Sequence, residues 1–277
     1  MTNPNSNVFF SPVGTNFKFL IAFPYTFAFM RILGIIPARY ASTRFSGKPL
    51  ADINGKFMIQ RVYEQAKKCK SLCEVIVATD DERIEKAVKK IKGKVVMTSN
   101  KHESGTDRCH EALKIIGEKK FDAVINIQGD EPFIYPEQIS KVANCFKDKN
   151  VQIATLVMKL NTLHELTNHN TIKVVVSKKK EAIYFSRTAI PYYRGEDFSE
   201  WLNLHTYYKH AGIYGYRSDI LEEVTKLEHS SLEIAESLEQ LRWIENGYKI
   251  AVEFTDLESH SIDTPEDLKN ALKKFSK

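Results

Sequence analysis

The chain of 277 residues lacks both common glycine-rich phosphate signatures. Its one cationic loop with a glycine does not have the four-residue spacing before Gly-Lys-Ser/Thr that a P-loop needs. The second and third glycines of the dinucleotide fingerprint are also missing. Charge of one sign is scarce: the net charge is +5, and no long basic run occurs. The triplet Lys178-Lys179-Lys180 reads as a solvated turn, so nucleic acid is not expected as the main partner. A mild positive bias suits anionic small substrates gathered in a cleft. Cysteine is limited to Cys69, Cys73, Cys109 and Cys145, with no following Cys or His pair at zinc-site spacing. Reduced thiols in a cytoplasmic protein are the expectation.

Long apolar runs are missing as well. Residues 17–30 are rich in Phe but are broken by Lys18 and Pro24, too short for a membrane helix of roughly 20 apolar residues. Neither a basic start nor a small-residue cleavage site marks a secretory signal. Residues 1–16 are rich in Asn and Ser and carry no charged side chain. Residues 1–30 therefore read as a disordered extension, or as an upstream start with Met30 as the natural beginning. A membrane-surface anchor is the lesser alternative, and no stable membrane insertion is expected. Residues 31–277 contain no linker, internal repeat or low-complexity tract.

What is present is an α/β rhythm. Apolar residues make up 43% of the chain, enough for a substantial core. Short apolar runs at 32–36, 74–78, 95–97 and 123–127 predict buried strands. Between them, 58–68, 81–91 and 108–116 predict helices, with Ile84, Ala87, Val88 and Ile91 sharing one stripe. Repeated β–α units imply a mostly parallel, Rossmann-like sheet flanked by helices. After residue 151 the rhythm changes. Strands are predicted at 153–160, 173–176, 182–185 and 211–216, one helix at 231–246, a strand at 250–254, and a last helix opened by Thr264 and Pro265. We expect one domain over 31–277: a nucleotide lobe at about 31–150, a smaller mixed acceptor and dimerisation lobe at about 151–250, and a closing strand and helix.

Five polar clusters fall where strands end, at the mouth of such a sheet. The loop Pro37-Ala38-Arg39-Tyr40-Ala41-Ser42-Thr43-Arg44-Phe45-Ser46-Gly47-Lys48 offers three cations that could neutralise phosphates. His102-Glu103-Ser104-Gly105-Thr106-Asp107-Arg108 offers hydroxyls and a glycine at a helix start, although an ordinary helix cap has the same look. Gln128-Gly129-Asp130-Glu131-Pro132 places a carboxylate just past a strand, suited to Mg²⁺ bridging phosphate oxygens. Gly129 would let a ligand approach the main chain. Asp263, before the last helix, is a candidate second carboxylate. In the acceptor half, His210 and Tyr214 are four apart on a strand, and Glu233, Glu236 and Gln240 are spaced for one helix face. Arg187 closes a strand and could take a carboxylate. Each of these also has a bland structural explanation.

Taken together, residues 36–50, 77–80, 102–108, 126–132, 184–187, 210–216, 231–242 and 263–268 resemble the CMP-Kdo synthetase family (3-deoxy-manno-octulosonate cytidylyltransferases). The segments occur in the family's order and span nearly all of 31–277. The resemblance implies a nucleotidyltransferase fold that activates 3-deoxy-manno-octulosonate (Kdo) with CTP, giving CMP-Kdo and pyrophosphate. It further implies service to lipopolysaccharide synthesis in the cytoplasm, and a homodimer. By position it assigns Arg39, Arg44 and Lys48 to the CTP phosphates, and Ala38, Thr79, Ser104, Thr106 and Gln128 to cytidine. It assigns Asp130 and Asp263 to Mg²⁺, and Arg187, His210, Tyr214, Glu233, Glu236 and Gln240 to Kdo. Arg44 and Lys48 join the two acids as the catalytic set. Ser46 stands where the family usually has proline, which loosens the loop slightly. The alternatives are another acid sugar as acceptor (8-amino-Kdo or a sialic acid), or a protein that binds CTP without turnover.

Overall fold

A computed structural model describes residues 30–41, 45–258 and 260–275. The expectations for residues 1–29 and for Arg44 lie outside these. The first half runs β1 (Ile32–Ala38), a small hairpin of β2 (Asp52–Ile53) and β3 (Lys56–Phe57), and α1 (Met58–Lys68). It continues with β4 (Glu74–Thr79), α2 (Glu82–Lys90), β5 (Val95–Met97), α3 (Gly105–Ile116), β6 (Ala123–Asn126) and α4 (Pro136–Cys145). The second half begins with β7 (Ile153–Lys159), α5 (Leu163–Thr167), β8 (Lys173–Val176), β9 (Ala182–Ser186), α6 (Trp201–Leu204) and β10 (Tyr208–Arg217). It ends with α7 (Ser218–Val224), α8 (Ser231–Glu236), α9 (Gln240–Glu245), β11 (Ile250–Phe254) and α10 (Pro265–Phe275).

The sheet order is β11-β7-β10-β6-β1-β4-β5, with β8 and β9 added beside β10. Strands β6, β1, β4 and β5 are mutually parallel. β10 is antiparallel to both β6 and β7, so β7 and its parallel neighbour β11 point the same way as β1. Only β10 in that path runs against the rest, as expected of a mostly parallel sheet. Alternation along β1 and β4 sorts the core. Ile32, Ile36, Val75 and Val77 meet Ile59 and Val62 of α1, Ile84 and Val88 of α2, and Val142 of α4. Leu33, Ile35, Ile76 and Ala78 meet Cys109, Ala112 and Leu113 of α3, Leu221 of α7 and Trp243 of α9. Both faces of the strands are thus covered, which is why they read as continuous apolar runs. Each fully buried aliphatic side chain contributes about 1.5–3 kcal/mol.

Two predicted helices differ from the structure, and the strand predicted at 211–216 begins three residues earlier, at Tyr208. The helix expected at 231–246 is two, because Ser237 adopts a left-handed conformation (φ 51°) between α8 and α9. The break lets Leu238 turn into the core, its N–H donating to the Glu233 carbonyl at 3.2 Å. The Arg187 guanidinium takes the freed carbonyls of Glu236 (2.6 Å) and Ser237 (3.2 Å). In consequence Glu233, Glu236 and Gln240 do not share one helix face. Likewise α3 begins at Gly105, not Arg108. The Ser104 hydroxyl accepts from the Asp107 N–H at 3.0 Å and so caps the helix three residues earlier.

Among the described residues no helix is long and apolar enough to cross a membrane. All four cysteines are free thiols.

Candidate active site

β4 and β5 lie on one side of β1 and β6 on the other. The loops leaving the carboxyl ends of the neighbouring strands β1 and β6, with the start of α3, enclose a crevice there. A cleft of about 220 Å³ lies there. Pro37, Ala38 and Arg39 line it from the end of β1, Gln128, Gly129 and Asp130 from the end of β6, and Ser104 and Gly105 from the start of α3. The loop after β1 turns back at Gly47, whose positive φ of 72° is a glycine conformation and whose N–H donates to the Tyr40 carbonyl at 3.0 Å. A short 3₁₀ turn then projects Lys48 into the cleft over buried Pro49.

Lys48 is the centre of the site. Its ammonium donates to Asp130 Oδ2 at 2.7 Å and to Asp263 Oδ1 at 3.1 Å. The three side chains are 15%, 26% and 35% exposed, so the ion pairs are partly screened and stabilise the fold only modestly. Two carboxylates facing one ammonium leave the trio with net negative charge. They present hard oxygen donors around a point already held by a cation, a donor set that fits Mg²⁺. Asp263 arrives through packing and one backbone bond. Ile262, fully buried with Ile53, Met58 and Ala271, donates its N–H to the Asp130 carbonyl at 2.9 Å. The first turn of α10 is then closed by Asp267, whose N–H donates to Thr264 Oγ1 at 3.1 Å and whose carboxylate accepts from the Thr264 N–H at 2.8 Å.

Gly129 lines the cleft and has a steric reason of its own. A Cβ there would stand 2.7 Å from the Pro37 carbonyl oxygen, so glycine is needed where the loop crosses the end of β1. Thr79 and Thr106 are buried beside the cleft and do not line it. The Thr79 hydroxyl accepts from the Asp81 N–H at 3.2 Å, and the Thr106 hydroxyl donates to Glu239 at 2.8 Å.

Sequence reading passed over several groups at the site. Arg108 lines the cleft with its guanidinium fixed on Thr98 Oγ1 (2.6 Å) and Asp80 (3.2 Å). His102 also lines it and is hydrogen-bonded to Glu111. Both belong to the segment 102–108, whose polar density was the available signal. Glu239 carried no signal, since it is one acid among several; burial raises its carboxyl above the usual range, against the opposing hydrogen bond from Thr106.

The six acceptor candidates form a second group outside the cleft lining. His210 and Tyr214 have ring centroids 4.9 Å apart, across a register irregularity in β10. His210 Nε2 lies 2.9 Å from Thr155 Oγ1, and burial lowers the imidazole pKa to about 4. Phe185, two residues before Arg187, meets His210 edge-on at 5.5 Å. Glu236 accepts from Ser186 Oγ (2.7 Å) and the Arg187 N–H (2.9 Å), so it fastens β9 to α8. Glu233 pairs with Arg242 at 2.8 Å, both side chains almost fully buried. Gln240 is buried at the start of α9.

Residues 33–250 match the Cytidylyltransferase family. The 3-deoxy-manno-octulosonate cytidylyltransferase of Parabacteroides distasonis is 60% identical over 247 residues, 88% of this chain and 97% of that protein. The enzyme of the same name from Bacteroides thetaiotaomicron is 60% identical over 246 residues, 87% of this chain and 97% of that protein. The chain belongs to the 3-deoxy-manno-octulosonate cytidylyltransferase family. A solved member, a CMP:2-keto-3-deoxy-manno-octonic acid synthetase complexed with CTP, superposes with a TM-score of 0.82 at 41% identity, covering 89% of this chain and 98% of that one.

Proposed function

We propose that the chain transfers the cytidylyl group of CTP to Kdo, giving CMP-Kdo and pyrophosphate. The observation that carries this reading is the meeting of Asp130 and Asp263 on Lys48 inside a cleft walled by Ala38, Ser104 and Gln128. The anomeric hydroxyl of Kdo attacks the α-phosphorus of CTP; the new P–O bond forms as the bond to pyrophosphate breaks. Positioning and charge neutralisation account for most of such a step. Asp130 and Asp263 would hold Mg²⁺, which when bound offsets phosphate charge and lowers the pKa of an attacking hydroxyl. Lys48, with Arg39 and Arg44, offsets charge on the pyrophosphate. Ala38, Ser104 and Gln128 frame cytidine, with Thr79 and Thr106 buried behind the cleft and supporting it through Asp81 and Glu239. Arg187, His210, Tyr214, Glu233, Glu236 and Gln240 shape the Kdo side, several of them by holding β9, α8 and α9 together.

On this reading 31–150 is the nucleotide lobe and 151–250 the acceptor lobe. CMP-Kdo would feed lipopolysaccharide synthesis from the cytoplasm, with a homodimer as the working form. Pyrophosphate release, measured with each nucleoside triphosphate against Kdo, 8-amino-Kdo and a sialic acid, tests the reading. Release with CTP and Kdo above all other pairs is the expected result. Release with another sugar alone would move the acceptor, and CTP binding without release would leave a non-catalytic protein.

A further inference from the structure

Away from the cleft, three side chains converge between α3 and α7. They are His110 on α3, Glu118 in the turn that follows it, and Glu222 on α7. One ligand atom from each lies within 4.8 Å of the others. His110 is five residues past Gly105, roughly 8 Å along the helix from the cleft wall.

The Thr225 hydroxyl orients the imidazole through its Nδ1 side. His110 Nδ1 lies 3.0 Å from Thr225 Oγ1, and that hydroxyl donates to the Glu222 carbonyl at 3.0 Å. In the tautomer in which that hydroxyl gives its proton to the carbonyl, Nδ1 carries the ring hydrogen and Nε2 presents a bare lone pair. That lone pair faces Glu118 Oε1 at 3.7 Å, too far for a hydrogen bond. Both atoms are buried with no hydrogen-bond partner among the described residues. In that tautomer two acceptors face each other out of water, an arrangement that a cation joining them relieves.

Lys226 holds one oxygen of Glu222 at 2.7 Å, but its side chain is 65% exposed and can swing into water. Imidazole nitrogen with two carboxylates suits Zn²⁺ or a similar ion better than Mg²⁺. The Thr225 contact on the second ring nitrogen is the usual way a ligating histidine is oriented.

We infer that His110, Glu118 and Glu222 form a site for one divalent transition-metal ion of the Zn²⁺ class, clamping α3 to α7 apart from the nucleotide cleft. The test uses the full chain stripped with a chelator and dialysed against Zn²⁺ in excess Mg²⁺. Bound zinc is measured for the unaltered chain and for Asp130→Asn, His110→Gln and Glu118→Gln. The unaltered chain and Asp130→Asn should each retain about one Zn²⁺, and the other two should bind it roughly tenfold or more weakly. Circular dichroism checks folding; if His110→Gln does not fold, Glu118→Gln decides. Co²⁺ in place of zinc should give a visible absorption band that survives Asp130→Asn. Zinc retained equally by the folded His110 or Glu118 variants, no zinc in the unaltered chain, or zinc lost only with Asp130→Asn would each overturn the site.

Discussion

The N–H of Ile262 donates to the carbonyl of Asp130 at 2.9 Å, and this bond sets the residue after Ile262 beside the side chain of Asp130. Two carboxylates remote in sequence are held together by main chain and not by their own charges, which would drive them apart. Lys48 then bridges them.

Asp130→Asn should therefore keep the fold and lose the chemistry. Pyrophosphate release from CTP and Kdo is expected to fall by about 10²–10³-fold or more, because one member of the electrostatic cluster is removed. The melting temperature should move little, since the ion pairs are partly exposed. Unchanged turnover would remove Asp130 from the catalytic set.

Gly129→Ala should be costly for a steric reason. The added methyl would meet the Pro37 carbonyl oxygen at 2.7 Å, and backbone has little freedom to yield. A loss of about 1–3 kcal/mol in urea unfolding is expected, together with a raised KM for CTP as the loop shifts. An unchanged midpoint would contradict the close approach.

Arg242→Ala should destabilise more than a surface substitution. It would remove the one buried cation on the Glu233 carboxylate, whose side chain is only 10% exposed, leaving it the Ser230 N–H at 3.3 Å and the exposed His229 ring at 3.2 Å. Losing one partner of a buried pair costs about 3–5 kcal/mol. The double variant with Glu233→Gln should recover part of that loss in chemical denaturation.

His210 should make stability depend on acid. Its folded pKa of about 4 lies below the ordinary 6.5, and burial is the cause. The unfolded chain therefore takes up a proton near pH 6.5 while the folded chain resists until near pH 4. This contribution is intact above about pH 6.5 and is lost progressively as pH falls toward 4, by about 3 kcal/mol in all. Urea unfolding at several pH values should show a shallower slope in His210→Gln over that window; an identical slope would refute the assignment.

The strands were legible as short runs of β-branched and apolar residues, even where only partly buried: 95–97, 173–176 and 250–254 agree residue for residue with β5, β8 and β11. α1 was equally plain, since Ile59, Val62, Tyr63 and Ala66 repeat at helical spacing. The segment 231–246 misled for the same reason. Its periodicity continues through Ser237, and nothing local announces that Arg187, fifty residues earlier, will take the carbonyls of Glu236 and Ser237. Arg108 and Glu239 were missed because a charged side chain in a polar segment looks solvated until its partners Asp80 and Thr106 are known.

Local composition by itself determined the alternation of strand and helix, the cationic loop after β1, and the placing of polar clusters at strand ends. These follow from side-chain periodicity and backbone preference, which act over a few residues. Only the tertiary structure decided which clusters meet. Lys48 reaches Asp130 across 82 positions and Asp263 across 215, and no short-range preference spans such distances. Burial of Ile262 against Ile53 and Met58 does, because apolar surface is removed from water wherever in the chain it lies.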